Sequence, residues 1–132
     1  MLFLKIPVFV GSITTIICGI FHFFLPRLYG WRKYLKTLPG DFRRGVLATN
    51  YFLGIILFSI GIFSYIVMAF INPDSVIFRV WMSMMVVMWF FRLLYHLKHP
   101  LGKALKLYTP MSAICYLSVI CFLEGFLLTF LK

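Results

Sequence analysis

The sequence predicts an all-α fold: an integral membrane four-helix bundle with a short interfacial helix in its first cytoplasmic loop. Three observations lead there. Four long apolar runs occupy residues 6–25, 47–71, 76–95 and 111–131. Each is about long enough to cross a hydrocarbon core of roughly 30 Å at about 1.5 Å per residue. Hydrophobic residues make up 63% of the chain and charged residues 12%, where soluble domains hold roughly 45–50% and 25%. Finally, the Lys and Arg residues gather after the first and third runs. A chain of 132 residues is then a single transmembrane domain, 1–132, with little outside the spans for a soluble module.

The first span follows Lys5 and resembles the start of a signal peptide. Its apolar run exceeds the roughly 7–15 residues of such a segment, and no Ala-x-Ala site follows, so an uncleaved span is expected. The connection 26–46 comes next and carries Arg27, Arg32, Lys33, Lys36, Arg43 and Arg44. Within it Leu28, Trp31, Leu35 and Leu38 recur at helical spacing, which suits a short amphipathic helix lying among headgroups. The alternative is an irregular basic loop with Trp31 as an interfacial anchor. Pro39-Gly40 should end this element, leaving Asp41 to cap the second span. The turn Asn72-Pro73-Asp74-Ser75 stops one helix and starts the next, with Asp74 or Ser75 as the cap. Thr109-Pro110, a cap residue before a proline suited to the first helical turn, opens the fourth span.

The charges orient these spans. Arg27, Arg32, Lys33, Lys36, Arg43, Arg44, Lys98, Lys103 and Lys106 lie on one side, and Lys5, Arg79 and Lys132 on the other, nine against three. The positive-inside rule therefore puts the loops 26–46 and 96–110 in the cytoplasm and both termini outside, in a cell inner (cytoplasmic) membrane. A net charge of +10 in a soluble protein would point to nucleic acid. Beside membrane spans, attraction to anionic headgroups explains it, so lipids and not nucleic acid are the expected partners. A second copy of the chain or a membrane partner subunit is a further expected partner.

Small and polar residues mark helix contacts. Gly11, Thr15, Cys18 and His22 form one stripe on the first span; Asn50, Gly54, Gly61 and Tyr65 form another on the second. Counted from the basic end, His22 matches Asn50 in depth, Cys18 matches Gly54, and Gly11 matches Gly61. In lipid, where apolar burial does not drive helices together, small residues permit close approach. The first two spans are thus expected to pair along these stripes. Cys18, Cys115 and Cys121 all fall inside apolar runs without Cys-x-x-Cys spacing, as small hydrophobes would.

Polar groups inside the runs are the candidate functional residues, because each is unfavourable there without a partner. Trp89, Arg92 and His96 share a face of the third span near its basic end. His22 and Asn50 reach the same level. Together these five, with Tyr95 and Tyr51 nearby, outline a polar chamber for an anion, a lipid phosphate or an amphiphile's head, with Arg92 as the fixed charge. The alternative is that Arg92 snorkels to headgroups and His22 satisfies a helix end. Arg79 and Glu124 lie at similar depth near the other end and are expected to form a structural ion pair, the alternative being a protonatable carboxylate in a transport path. His22 and His96 raise bis-imidazole haem ligation, but each lies beside a helix end, and no cofactor is expected. No Ser/His/Asp set, His-Glu-x-x-His pattern or phosphate loop is present, so no catalytic or metal-ligating residue is assigned.

The residues His22-Phe23, Pro26, Trp31, Leu35, Leu38 and Arg43, followed by Trp89 and Arg92, resemble those of a group of small uncharacterised bacterial four-transmembrane-helix proteins. The resemblance implies a compact membrane bundle and importance for His22, Trp31, Arg43 and Arg92; it brings no substrate. Small multidrug resistance transporters also have four spans, but carry a membrane-embedded Glu in the first, where this chain has Thr14 and Thr15. The expected function is a non-enzymatic membrane component or partner subunit with an anion or lipid-headgroup site near the cytoplasmic face. The alternatives are a small-molecule or ion transporter and, behind it, a haem- or lipid-handling membrane enzyme.

Overall fold

The computed structural model describes residues 2–99 and 108–130. Helix α1 spans Leu2–Leu28, a short helix α2 Trp31–Tyr34, a 3-10 turn Leu35–Thr37, α3 Gly40–Phe70, α4 Val76–Lys98 and α5 Tyr108–Leu127. The described residues contain no strand. Among the described residues four helices, α1, α3, α4 and α5, are long and apolar enough to cross a membrane.

The helices outrun the apolar segments at the basic end. α1 continues through Pro26 to Leu28, α3 begins at Gly40 instead of residue 47, and α4 carries on through His96 to Lys98. Residues 40–46 hold Asp41, Arg43 and Arg44 and precede the apolar run, yet they are helix-competent, and Asp41 pairs with Arg44 one turn on, at 3.4 Å. Asp41 does not cap α3. Pro39 holds that position without a side-chain bond, and Asp41 sits inside the first turn, where a carboxylate suits the helix dipole. Between α1 and α3, where an amphipathic helix is expected, a short helix, Trp31–Tyr34, runs directly into the 3-10 turn Leu35–Thr37, with no buried residue in either. The chain enters them through Gly30 at φ 57°, a conformation that a side chain would strain.

At the opposite end the turn behaves as its residues suggest. Asn72 Oδ1 accepts the Asp74 N–H at 3.0 Å, and Ser75 Oγ accepts the Phe78 N–H at 3.2 Å, capping α4. Thr109 and Pro110 lie inside α5, which is described from Tyr108. Lys103, Lys106 and Lys132, and with them most of the loop 96–110, fall outside the described residues.

α1 is the central helix: it packs against α3 on one side and α5 on the other, and α4 packs on α5. Glycines set the α1–α3 crossing. A Cβ added at Gly19 would lie 2.5 Å from the Phe58 backbone nitrogen and 2.8 Å from the Gly54 carbonyl oxygen. One at Gly61 would lie 2.8 Å from the Ile16 nitrogen. Gly54 and Gly61 thus face α1: His22 of the expected stripe does meet Gly54, while Ser12, Ile16 and Gly19 stand where Gly11, Thr15 and Cys18 are expected. Gly11 faces the Phe122 ring of α5 instead, and Thr15 accepts from Trp89 of α4. Cys18 joins the buried cluster with Met85, Trp89 and Cys115.

The interior is tied by hydrogen bonds between helices. Thr14 and Ser118 hydroxyls meet at 2.8 Å across α1 and α5, the Trp89 indole donates to Thr15 at 3.1 Å, and His96 Nε2 lies 2.9 Å from Ser112 Oγ across α4 and α5. α3 and α4 share few close backbone contacts. The side chains that join them, Trp81 with Ser64 at 3.0 Å and with the Phe63 ring, lie in the half near their connecting turn. Beyond that level the two helices part and leave a cleft.

The expected Arg79–Glu124 pair does not form. The Arg79 guanidinium carbon lies 5.1 Å from the centre of the Phe130 ring, a cation–π arrangement. Glu124 is exposed on α5, on the same face as Ile120 and Leu127, while Cys121, Phe122 and Gly125 turn inward. Equal depth brought the two residues to one level, but helical phase points Glu124 away from α4.

Candidate functional site

The cleft between α3 and α4 begins from a missing donor. In an α-helix the carbonyl of residue 22 accepts from the N–H of residue 26, and here that residue is Pro26, inside α1, which has none. The freed His22 carbonyl is taken by the Asn50 side chain of α3, whose Nδ2 donates to it at 2.6 Å. Asn50 Oδ1 then lies 3.0 Å from His22 Nδ1. A carbonyl only accepts, so the amide nitrogen must face it, and the amide oxygen must face the ring. His22 Nδ1 is therefore the donor, and the proton sits there. Close approach makes this possible: one turn along α3, a Cβ at Gly54 would lie 3.1 Å from both the Gly19 oxygen and His22 Cβ.

His22 and Asn50 are 4% and 6% exposed and border a cavity of about 770 Å³. Its apolar wall includes Leu25, Val46 and Met111, its mouth holds Trp31 and Asp41, and Arg92 and Tyr95 close it from α4. A second cavity of about 570 Å³ adjoins it along the cleft, walled by Ile56, Leu57, Met88 and Phe91 with Cys18 behind. Leu53, Arg92 and Tyr95 border both. Both are lined mainly by apolar groups, and the Arg92 guanidinium stands where they meet.

Arg92 is half-buried. Its charge acts on Cys18, His22, His96 and Cys115, with the Cys115 sulfur in hydrogen-bond reach. The single carboxylate at the cavity is Asp41, an exposed group at the mouth that pairs with Arg44. Among the described residues no carboxylate neutralises Arg92. Two further polar atoms here are buried without a hydrogen-bond partner among the described residues: His22 Nε2 and the Tyr29 hydroxyl. Burial raises the Tyr29 pKa, keeping its hydroxyl protonated as a donor. Arg92 thus gives the cavity a cation, and two residues that border it, Tyr29 and His22, each keep a buried polar atom unused, a hydroxyl and an imidazole nitrogen.

The five residues expected to form the chamber divide. His22, Asn50 and Arg92 come together at the first cavity. Trp89 borders only the second, with its indole N–H already given to Thr15. His96 belongs to the buried seam of α4 with Met85, Trp89 and Leu93 and turns to Ser112; it borders neither of these two cavities. Tyr51 stacks on Phe23 at the exposed surface. No group of three or more His, Cys, Asp or Glu is placed to hold a metal ion among the described residues. Tyr29, Leu53 and Met111 were not singled out by the sequence. The four-residue spacing of His22 and Pro26 was a legible signal, since it frees a carbonyl at a known position. Comparison with protein-family models, curated proteins and solved structures returns no match.

Proposed function

We propose that the chain is a non-enzymatic component of the cytoplasmic membrane whose cleft between α3 and α4 holds the anionic headgroup of a membrane lipid on Arg92. Both termini lie outside, and the basic end, with its short interfacial turns, lies at the inner headgroups. The observation that carries this reading is a guanidinium without a carboxylate partner among the described residues, at the junction of two largely apolar cavities, one of them also bordered by His22, Asn50 and Tyr29. A charge so placed is unfavourable in hydrocarbon unless something neutralises it. A phosphate reached from the adjacent leaflet does so, and the planar guanidinium suits it better than an ammonium does.

The test is native mass spectrometry of the gently extracted protein. Arg92→Gln should lower bound anionic lipid about tenfold or more, from the loss of a charged hydrogen bond. Arg92→Lys should fall between Gln and the parent chain, because it keeps the charge and loses the fork. Arg79→Gln, at the other end, should leave retention unchanged. Equal lipid binding in all four proteins would reduce Arg92 to an interfacial anchor.

A further inference from the structure

We infer that the lipid held in the cleft is an anionic phospholipid with a free hydroxyl in its headgroup, the phosphate meeting Arg92, the hydroxyl donating to His22 Nε2, and a chain lying in the apolar cavity. This rests on the reading of the cleft as an anion site and narrows its ligand. Asn50 is fixed by its bond to the His22 carbonyl, so its oxygen fixes the proton on His22 Nδ1 and leaves Nε2 as an acceptor. That nitrogen is buried without a partner among the described residues, on a side chain 4% exposed that borders the cavity. A buried acceptor left unused is unfavourable. A phosphodiester whose headgroup carries no O–H or N–H brings only acceptors and cannot satisfy it, whereas a phosphoglycerol headgroup brings both the anion for Arg92 and a donor for Nε2. The Tyr29 hydroxyl, also buried and unpartnered, is a donor and serves a phosphate oxygen.

The apolar half decides between a lipid and a soluble phosphate. The second cavity runs from Arg92 along α3 and α4, between Ile56, Leu57, Met88 and Phe91, where the helices have few close contacts. A soluble glycerol phosphate would leave that volume unused. An acyl chain enters it sideways from the surrounding leaflet.

The experiment offers the purified protein equal amounts of phosphatidylglycerol, phosphatidylmethanol and phosphatidylcholine with identical dioleoyl chains and counts bound lipid by native mass spectrometry. Phosphatidylmethanol has the same phosphodiester charge as phosphatidylglycerol and no hydroxyl. The parent chain should retain phosphatidylglycerol about threefold to tenfold over phosphatidylmethanol, the worth of one hydrogen bond, and both over phosphatidylcholine. His22→Phe should bring the two anionic lipids level and keep both above phosphatidylcholine. Equal retention of the two anionic lipids by the parent chain would overturn the hydroxyl contact and leave the anion site standing. Equal retention of all three would overturn both. Free glycerol 3-phosphate displacing bound phosphatidylglycerol at equal concentration would overturn the role of the chain and point to a soluble phosphate. Because the parent chain alone decides these outcomes, a misfolded variant does not weaken the test.

Discussion

Replacing Asn50 with alanine is expected to destabilise the bundle by about 1–3 kcal/mol, and replacing Pro26 as well is expected to return part of that loss. Asn50 satisfies two groups at once, the His22 carbonyl and His22 Nδ1, and both would be left buried and unpaired. Interhelical hydrogen bonds in membrane proteins average about 0.6 kcal/mol and reach about 1.7, and a buried group left unsatisfied adds its desolvation. The carbonyl is free only because Pro26 has no N–H. In Asn50→Ala, Pro26→Ala the backbone N–H of residue 26 takes the carbonyl, and only Nδ1 remains unpaired. Thermal unfolding of the two single variants and the double variant in one detergent forms the cycle. A coupling of about 1 kcal/mol between residues on different helices is the expected result. Additive losses would mean that the proline and the amide act independently, and the account of how His22 is positioned would fail.

Gly19→Ala should be the most damaging single methyl in the protein, at about 3 kcal/mol or more. Its Cβ would fall 2.5 Å from the Phe58 nitrogen and 2.9 Å from Phe58 Cα, so the obstacle is backbone, and α1 and α3 must separate to admit it. That separation would also pull Asn50 from His22. Gly45→Ala is the contrast: nothing lies within 4 Å of its added Cβ, and the helix should gain about 0.8–1 kcal/mol from propensity alone. Thermal unfolding with oppositely signed shifts would establish the crossing point. Equal, small effects at both positions would place the α1–α3 contact elsewhere.

These two cases show what a sequence of this kind discloses. Depth along a helix is legible, because it follows from counting residues to the nearest loop, and it brought His22 and Asn50 to one level. Azimuth is not. Whether a residue faces one neighbour or another depends on where the other helices stand. For this reason Gly11 and Thr15 were read toward α3 although they face α5 and α4, and Glu124 was read toward Arg79 although it points outward. Small size announces a close neighbour without naming it, and the stripe 11-15-18 lies one residue from the stripe 12-16-19. Helix ends were underestimated for a different reason. Hydropathy finds the apolar stretch, and the helix runs on through Arg27, Arg43 and Lys98 because charged residues are good helix formers. The cleft itself could not be seen, since it exists where α3 and α4 part, and nothing in either sequence segment records the separation.

Arg92 meets inner-leaflet headgroups only if the basic end lies at the inner face of the membrane. Cysteine labelling in intact cells measures this directly. Cys18, Cys115 and Cys121 are buried, so the parent chain should take up little impermeant thiol reagent. A cysteine in place of Asp74, in the turn before α4, should react readily. One in place of Lys36, in the 3-10 turn at the basic end, should react only after the cells are broken open. Labelling of Lys36→Cys in intact cells with protection of Asp74→Cys would invert the protein and contradict the account.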